Sequence, residues 1–201
     1  MNAPSRKEAE QLLIWAHEKN PGAWADHSRV VGRAAETIAK QCKIDSDLAY
    51  TLGLLHDIGR YEGVRGLHHL NAGYELMMER HYEMHARICL THSFPYQDFG
   101  AYGGGALDCT EIEIEQIKQV LNETIYDDYD KIIQLCDAIG TAQGICLIDI
   151  RLLNVTRRYG FDDFTLPKWD AFFNLKDYFD VKCGMNVYDL FYEEIRKVSF
   201  D

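Results

Sequence analysis

No two of the six cysteines stand in a CxxC pair; residues 42, 89, 109, 136, 146 and 183 lie far apart in the chain. That spacing suits neither a zinc ribbon nor a redox dithiol. Several of these cysteines fall in apolar helical stretches, where a free thiol serves as a small hydrophobe. No apolar run approaches the ~20 residues that a membrane-spanning helix needs. The first residues, MNAPSRKEAEQ, are polar and lack the apolar core of a signal peptide. These absences set the expectation of a cytoplasmic chain with reduced thiols and no membrane partner. Positive charge is also scarce: 21 Lys and Arg against 32 Asp and Glu leave a formal charge of −11. A nucleic-acid polymer is therefore not an expected partner, since phosphate backbones are held by net positive surfaces. A small anionic ligand remains compatible, provided that a metal and a few arginines reverse the sign locally.

Alternating, strand-like patterning of useful length is missing too, as are internal repeats and low-complexity tracts. Helical periodicity fills the chain instead, and 201 residues suffice for one well-buried domain, 1–201. Ser5-Arg-Lys-Glu8 reads as a capping box that opens a first helix ending near Pro21-Gly22. Further helices are expected over 25–41, from 46 to a stop at Gly59, over 69–80 and over 83–92. Thr110-Glu-Ile-Glu113 is a second capping box, opening a helix to about 122. Others follow over 128–141, from about 145 to Tyr159-Gly160, over 168–180 and over 187–198. The fold class is thus all-α. Residues 93–109, SFPYQDFGAYGGGALDC, form one long irregular segment with three consecutive glycines and four aromatics, a length that marks either a functional loop or poor order.

Chemistry concentrates at Leu54-Leu-His56-Asp57-Ile-Gly59-Arg60. The leucines set this turn against the core, and the adjacent imidazole and carboxylate can grip one cation from two sides. A dipole-favoured helix C-cap is the plainer reading of the dipeptide alone. His27 shares an apolar face with Val30 and Val31, and Asp137 in IIQLCDAIG follows Ile133 by four residues. An ionised aspartate on that face is costly without a cation or strong donors. Four such groups, pointing inward from three helices, are harder to explain as structure than any one of them.

Taken in order, His27-Ser-Arg-Val, His56-Asp57-Ile-Gly59 and the helical Asp137 resemble the H…HD…D signature of the HD superfamily of metal-dependent phosphohydrolases. The resemblance runs from about Ala25 to Gly140, and it fades in the C-terminal elaboration, 142–201. It implies an HD-domain-like helical bundle whose core, about 25–141, binds a divalent metal through His27, His56, Asp57 and Asp137. His69-Leu-Asn-Ala-Gly73 and Ile88-Cys-Leu-Thr-His92 resemble the HxxxG and IxxxH segments of branches that hold two metals. His69 and His92 then complete a six-ligand set with Asp57 as bridge. On the residues alone, His68 can stand in for His69, and His92 can be a substrate hydrogen-bonder.

The implied activity is hydrolysis of a small, nucleotide-like phosphoester or phosphoanhydride, with one or two divalent ions activating water. Fe, Mn, Mg, Co and Ni are not distinguished. Asp57 and Arg60 are the expected catalytic residues, and Arg60 and Arg65 the expected phosphate binders, against a reading of both arginines as solvated. A di-iron oxygenase with the same ligands and a non-catalytic nucleotide-binding module are the competing functions. The oligomeric state is not legible.

Overall fold

The computed structural model describes residues 2–103 and 105–200, with side chains through residue 198. It is 71% helical. The elements are α1 (Arg6–Lys19), α2 (Trp24–Cys42), α3 (Ser46–Leu55), α4 (His68–Glu79), α5 (Glu83–Thr91), α6 (Glu111–Glu123), α7 (Asp128–Ile139), α8 (Ile148–Tyr159), α9 (Thr165–Cys183) and α10 (Tyr192–Phe200). A single small hairpin joins α7 to α8. Its two-residue strands, β1 (Gly140–Thr141) and β2 (Gly144–Ile145), pair antiparallel with Gly140 opposite Ile145. Strands this short carry no period-two signal, so sequence patterning does not register them. None of the helices is long and apolar enough to cross a membrane among the described residues.

The local signals explain where helices begin. Ser5 and Glu8 close a reciprocal capping box on α1, and Thr110 and Glu113 do the same on α6. A third box, Asp127 with Asp130 on α7, uses a shorter acid than the usual Glu and is not evident from sequence.

The third helix stops earlier than the sequence suggests. α3 ends at Leu55; His56 caps it, and Asp57 (φ −102°, ψ 14°) turns the chain into a 3-10 segment, Ile58–Glu62. Gly59 therefore does not end a helix. A Cβ there would lie 2.0 Å from the His69 carbonyl oxygen and 2.4 Å from the Gly73 nitrogen, so the glycine lets this turn lie directly on α4. Similarly, 187–198 splits into a 3-10 turn, Val187–Phe191, followed by α10.

The largest apolar cluster joins α2, α3 and α7 to the C-terminal helices, from Val31, Ile38 and Leu52 through Ile133 to Phe179, Phe191 and Ile195. A second cluster seats α1 on α3, α4 and α5 through Leu13, Leu55 and Met77. The six thiols are free, and those of Cys42 and Cys183 touch where the C-terminal ends of α2 and α9 meet.

The described residues of 93–109 are held in place by packing. Phe94 is fully buried with Leu67, Leu70, Leu90 and Ile117, and Phe99 and Tyr102 pack onto that cluster. Gln97 donates to the carbonyls of Leu121 and Thr124, and Asp108 accepts the backbone N–H groups of Gly66 and His68. Lys168 of α9 donates to the Ala101 carbonyl at 3.2 Å. The segment is thereby tied to α6, to the start of α4 and to α9.

Candidate metal centre

Six side chains converge where five helices begin or end. His27 sits in the first turn of α2, and His69 in the first turn of α4. His56 and His92 cap the C-terminal ends of α3 and α5, Asp57 follows His56, and Asp137 lies in the last turn of α7. These are the six positions singled out from sequence, and the structure brings all of them together. His27 Nε2 is 2.9 Å from Asp137 Oδ1; His69 Nε2 and His92 Nε2 are 3.1 and 3.6 Å from Asp57 Oδ1. His56 Nε2 lies between the carboxylates, 3.9 Å from Asp57 and 3.8 Å from Asp137.

The backbone fixes how three of the rings point. The Nδ1–H of His56 donates to the Gly53 carbonyl at 2.7 Å, that of His69 to Gly66, and that of His92 to Ile88 at 3.2 Å. Each Nε2 lone pair is thus turned towards Asp57. A ring nitrogen fixed by a backbone carbonyl, with the other left for a cation, is the usual arrangement of a histidine ligand. Two of the atoms so presented, His56 Nε2 and Asp57 Oδ1, are buried and have no hydrogen-bond partner. Such orphans cost free energy unless something binds them, and a cation suits a lone pair beside a carboxylate.

Protonation states agree with that fit. Burial lowers the pKa of His56 and pushes His92 down to about 3, with the neighbouring rings adding to the effect at His92. Both imidazoles are therefore neutral, the form that binds metal. Burial alone would raise Asp57, but the Arg60 guanidinium outweighs it and holds this carboxyl well below the ordinary range. Asp137 is held down in the same way, chiefly by His27.

Three overlapping groups have donor atoms within 4.8 Å of one another: His27, His56 and Asp57; His56, His92 and Asp137; and Asp57, His69 and His92. The buried His/Asp cluster can hold a metal ion. The rings run in the order His27, His56, His92, His69, with successive centroids 5.3, 4.9 and 5.8 Å apart.

The remaining sequence candidates separate. His68 turns away and bridges Glu62 and Glu113 at 2.8 Å each, so His69 is the histidine of this pair that enters the centre. Arg60 lies at the centre, with Nε 2.6 Å from Asp57 Oδ2 and Nη2 3.3 Å from His69 Nε2. Arg65 is exposed and is not brought into the cleft.

His27, Asp57, His69, His92 and Asp137 of the centre line a cleft of about 1270 Å³. Its walls include Ala101 and Tyr102 of the long segment, together with Arg151 and Arg158 of α8, Lys168 and Trp169 of α9, and Lys197 of α10. The segment 93–109 therefore does line the site. Sequence does not point to the C-terminal contributors, because no motif surrounds Arg151, Arg158, Lys168, Trp169 or Lys197.

An all-helical fold closing six His and Asp side chains into one buried, cation-ready centre defines a class of metal-binding helical domains. The profile of the HD domain matches residues 24–142, more than half of the chain, and the protein belongs to the HD domain family. HD domains typify a superfamily of metal-dependent phosphohydrolases. Comparisons with characterised proteins and with solved structures returned no match.

Proposed function

We propose that this protein is a metal-dependent phosphohydrolase acting on a small, nucleotide-like phosphoester or phosphoanhydride. The observation that carries this reading is the orientation of His56, His69 and His92, each fixed through Nδ1 with Nε2 turned on Asp57 in a cleft lined by basic residues. His27, His56, Asp57 and Asp137 would hold one divalent ion. His69 and His92, with Asp57 shared, would hold a second. Bound ions of this kind lower the pKa of a water and neutralise charge on phosphoryl oxygens.

The chain's own residues supply the rest. Asp57, ionised through Arg60, anchors both halves of the centre. Arg60 uses Nε on that carboxylate and keeps further N–H donors for phosphoryl oxygens. Trp24, Tyr102, Tyr159, Phe164 and Trp169 line the cleft and provide flat faces for a base. Residues 1–201 act as one domain in this reading, because the main apolar cluster joins α2 and α7 to α9 and the 3-10 turn before α10.

The test is elemental analysis of protein purified without chelator, followed by phosphate release from a nucleotide panel after reconstitution with Mn²⁺. Metal in the protein and phosphate from at least one nucleotide are expected. Metal-free protein that releases none after reconstitution with any divalent ion overturns the reading.

A further inference from the structure

Arginines and lysines elsewhere in this acidic chain are commonly paired. Arg33 bonds Glu194, Arg87 bonds Asp127 and Asp130, Lys176 bonds Asp180, and Lys182 bonds Asp128. The cleft wall differs. Among the described residues Arg151, Arg158, Lys168 and Lys197 have no carboxylate within ion-pair distance, and all four line the same concavity. Four cations without an ion-pair partner thus line one cleft in a chain of formal charge −11, and an anion that enters is drawn to that side.

Lys168 is the most telling of them. It is half-buried in the first turn of α9 and spends one ammonium donor on the Ala101 carbonyl, which leaves two for a ligand. The Tyr102 hydroxyl is also buried and lines the cleft, on the side of Arg60 and Asp57, with no hydrogen-bond partner among the described residues. Besides Asp57 and Asp137 of the centre, the cleft is lined by one carboxylate, Asp162, whose Oδ1 accepts from the Thr165 hydroxyl and the Phe164 backbone N–H at the start of α9. Asp137 and Asp162 favour the charged form of Lys168, but among the described residues no carboxylate lies within ion-pair distance of it. The cleft, at about 1270 Å³, also exceeds the usual upper size of a small-molecule site.

We propose that Arg151, Arg158, Lys168 and Lys197 form an anion subsite alongside the His/Asp centre, so that the substrate is a polyphosphorylated small molecule with at least two phosphoryl groups. One phosphoryl group meets the centre and Arg60 while another is held on the wall supplied by α8, α9 and α10. The family match ends at residue 142, so this wall belongs to the part of the chain that the family profile does not describe. The inference rests on reading the cleft as the substrate site.

The test measures binding to metal-free protein, with inorganic phosphate and tripolyphosphate as probes followed calorimetrically. Tripolyphosphate is expected to bind at least about tenfold more tightly than phosphate. Lys168→Gln and Arg158→Gln should each weaken tripolyphosphate about five- to tenfold, since each removes charge-assisted hydrogen bonds. Arg157→Gln, on α8 but outside the cleft, should leave the affinity unchanged, and Lys168→Arg should restore most of what Lys168→Gln loses. Circular dichroism confirms that each variant is helical. Equal affinity for the two probes, or equal loss in Arg157→Gln, overturns the subsite. A protein that releases phosphate from nucleotides yet shows no preference for tripolyphosphate keeps the proposed function and loses the subsite. The reverse result, a tripolyphosphate preference that falls in Lys168→Gln without any phosphate release, keeps the subsite and loses the function.

Discussion

His56 Nδ1 lies 2.7 Å from the carbonyl oxygen of Gly53, one turn back in α3. Gly53 is also where α3 crosses α2, because a Cβ at this position would fall 2.8 Å from the Gly32 Cα. The bond that sets the His56 tautomer thus hangs on a close crossing of α2 and α3. Gly53→Ala must push α3 away from α2, and overpacking of this kind costs about 1–3 kcal/mol. It also shifts the acceptor of His56, and disturbing such outer partners typically costs about 10–100-fold in metal affinity. Urea denaturation and a Mn²⁺ titration on one preparation check both effects. A variant as stable and as tightly metal-binding as the parent would show that the crossing tolerates a methyl group.

Asp57 is the common neighbour of the three inward histidines from α3, α4 and α5. Asp57→Ala should therefore remove bound metal and activity together while the protein stays helical by circular dichroism. His92→Ala touches one side of the set and should cost one metal equivalent of two. A parent with a single equivalent, unchanged in His92→Ala, rules out the two-ion arrangement.

The helices were legible from sequence because periodicity and capping boxes are local, as at Ser5 and Thr110. The six residues of the centre were legible because each combines a polar group with an apolar helix face, and because their order resembles a family signature. What sequence did not give is decided between elements. Gly59 reads as a helix stop until α4 is seen lying against it, and His68 stays open as an alternative to His69 until Glu62 and Glu113 are seen to claim it. Lys168 has no local signal at all: its importance comes from facing Ala101, 67 residues away.

His85 gives a pH dependence that does not involve the centre. It is buried in α5, its Nε2 is 3.1 Å from Thr51 Oγ1, and Thr51 already donates to the Leu48 carbonyl, so the hydroxyl accepts from the ring. Nδ1 has no partner, and burial lowers the pKa to about 4 from an ordinary 6.5. The unfolded chain thus takes up a proton below about pH 6.5 that the folded chain refuses until about pH 4, so stability falls as pH falls through this window. The contribution lost by pH 5 is about 2 kcal/mol, from 1.36 kcal/mol per pH unit. His85→Gln, which can still donate to Thr51, should lose less stability than the parent between pH 7 and pH 5 by about that amount. Denaturation of both proteins in chelator measures the difference, and identical acid sensitivity would exclude His85 as a source of it.

The choice between hydrolase and oxygenase turns on what the metal must do, since the same six ligands serve either. A hydrolase needs a Lewis acid near the phosphoryl group, so redox-inert Mg²⁺ or Mn²⁺ should restore activity equally with and without oxygen. An oxygenase needs iron that changes oxidation state and consumes O₂. The cleft favours the first. Arg60 reaches into the centre, and Arg151, Arg158, Lys168 and Lys197 line the same cleft with no carboxylate at ion-pair distance among the described residues, an arrangement that suits phosphate charge more than an uncharged C–H bond. Protein stripped with chelator and reloaded under argon should therefore release phosphate from a nucleotide at the aerobic rate, with no oxygen uptake at an electrode. Activity that returns only with iron and air, accompanied by oxygen consumption and no free phosphate, would move the protein to the oxygenase branch of its family.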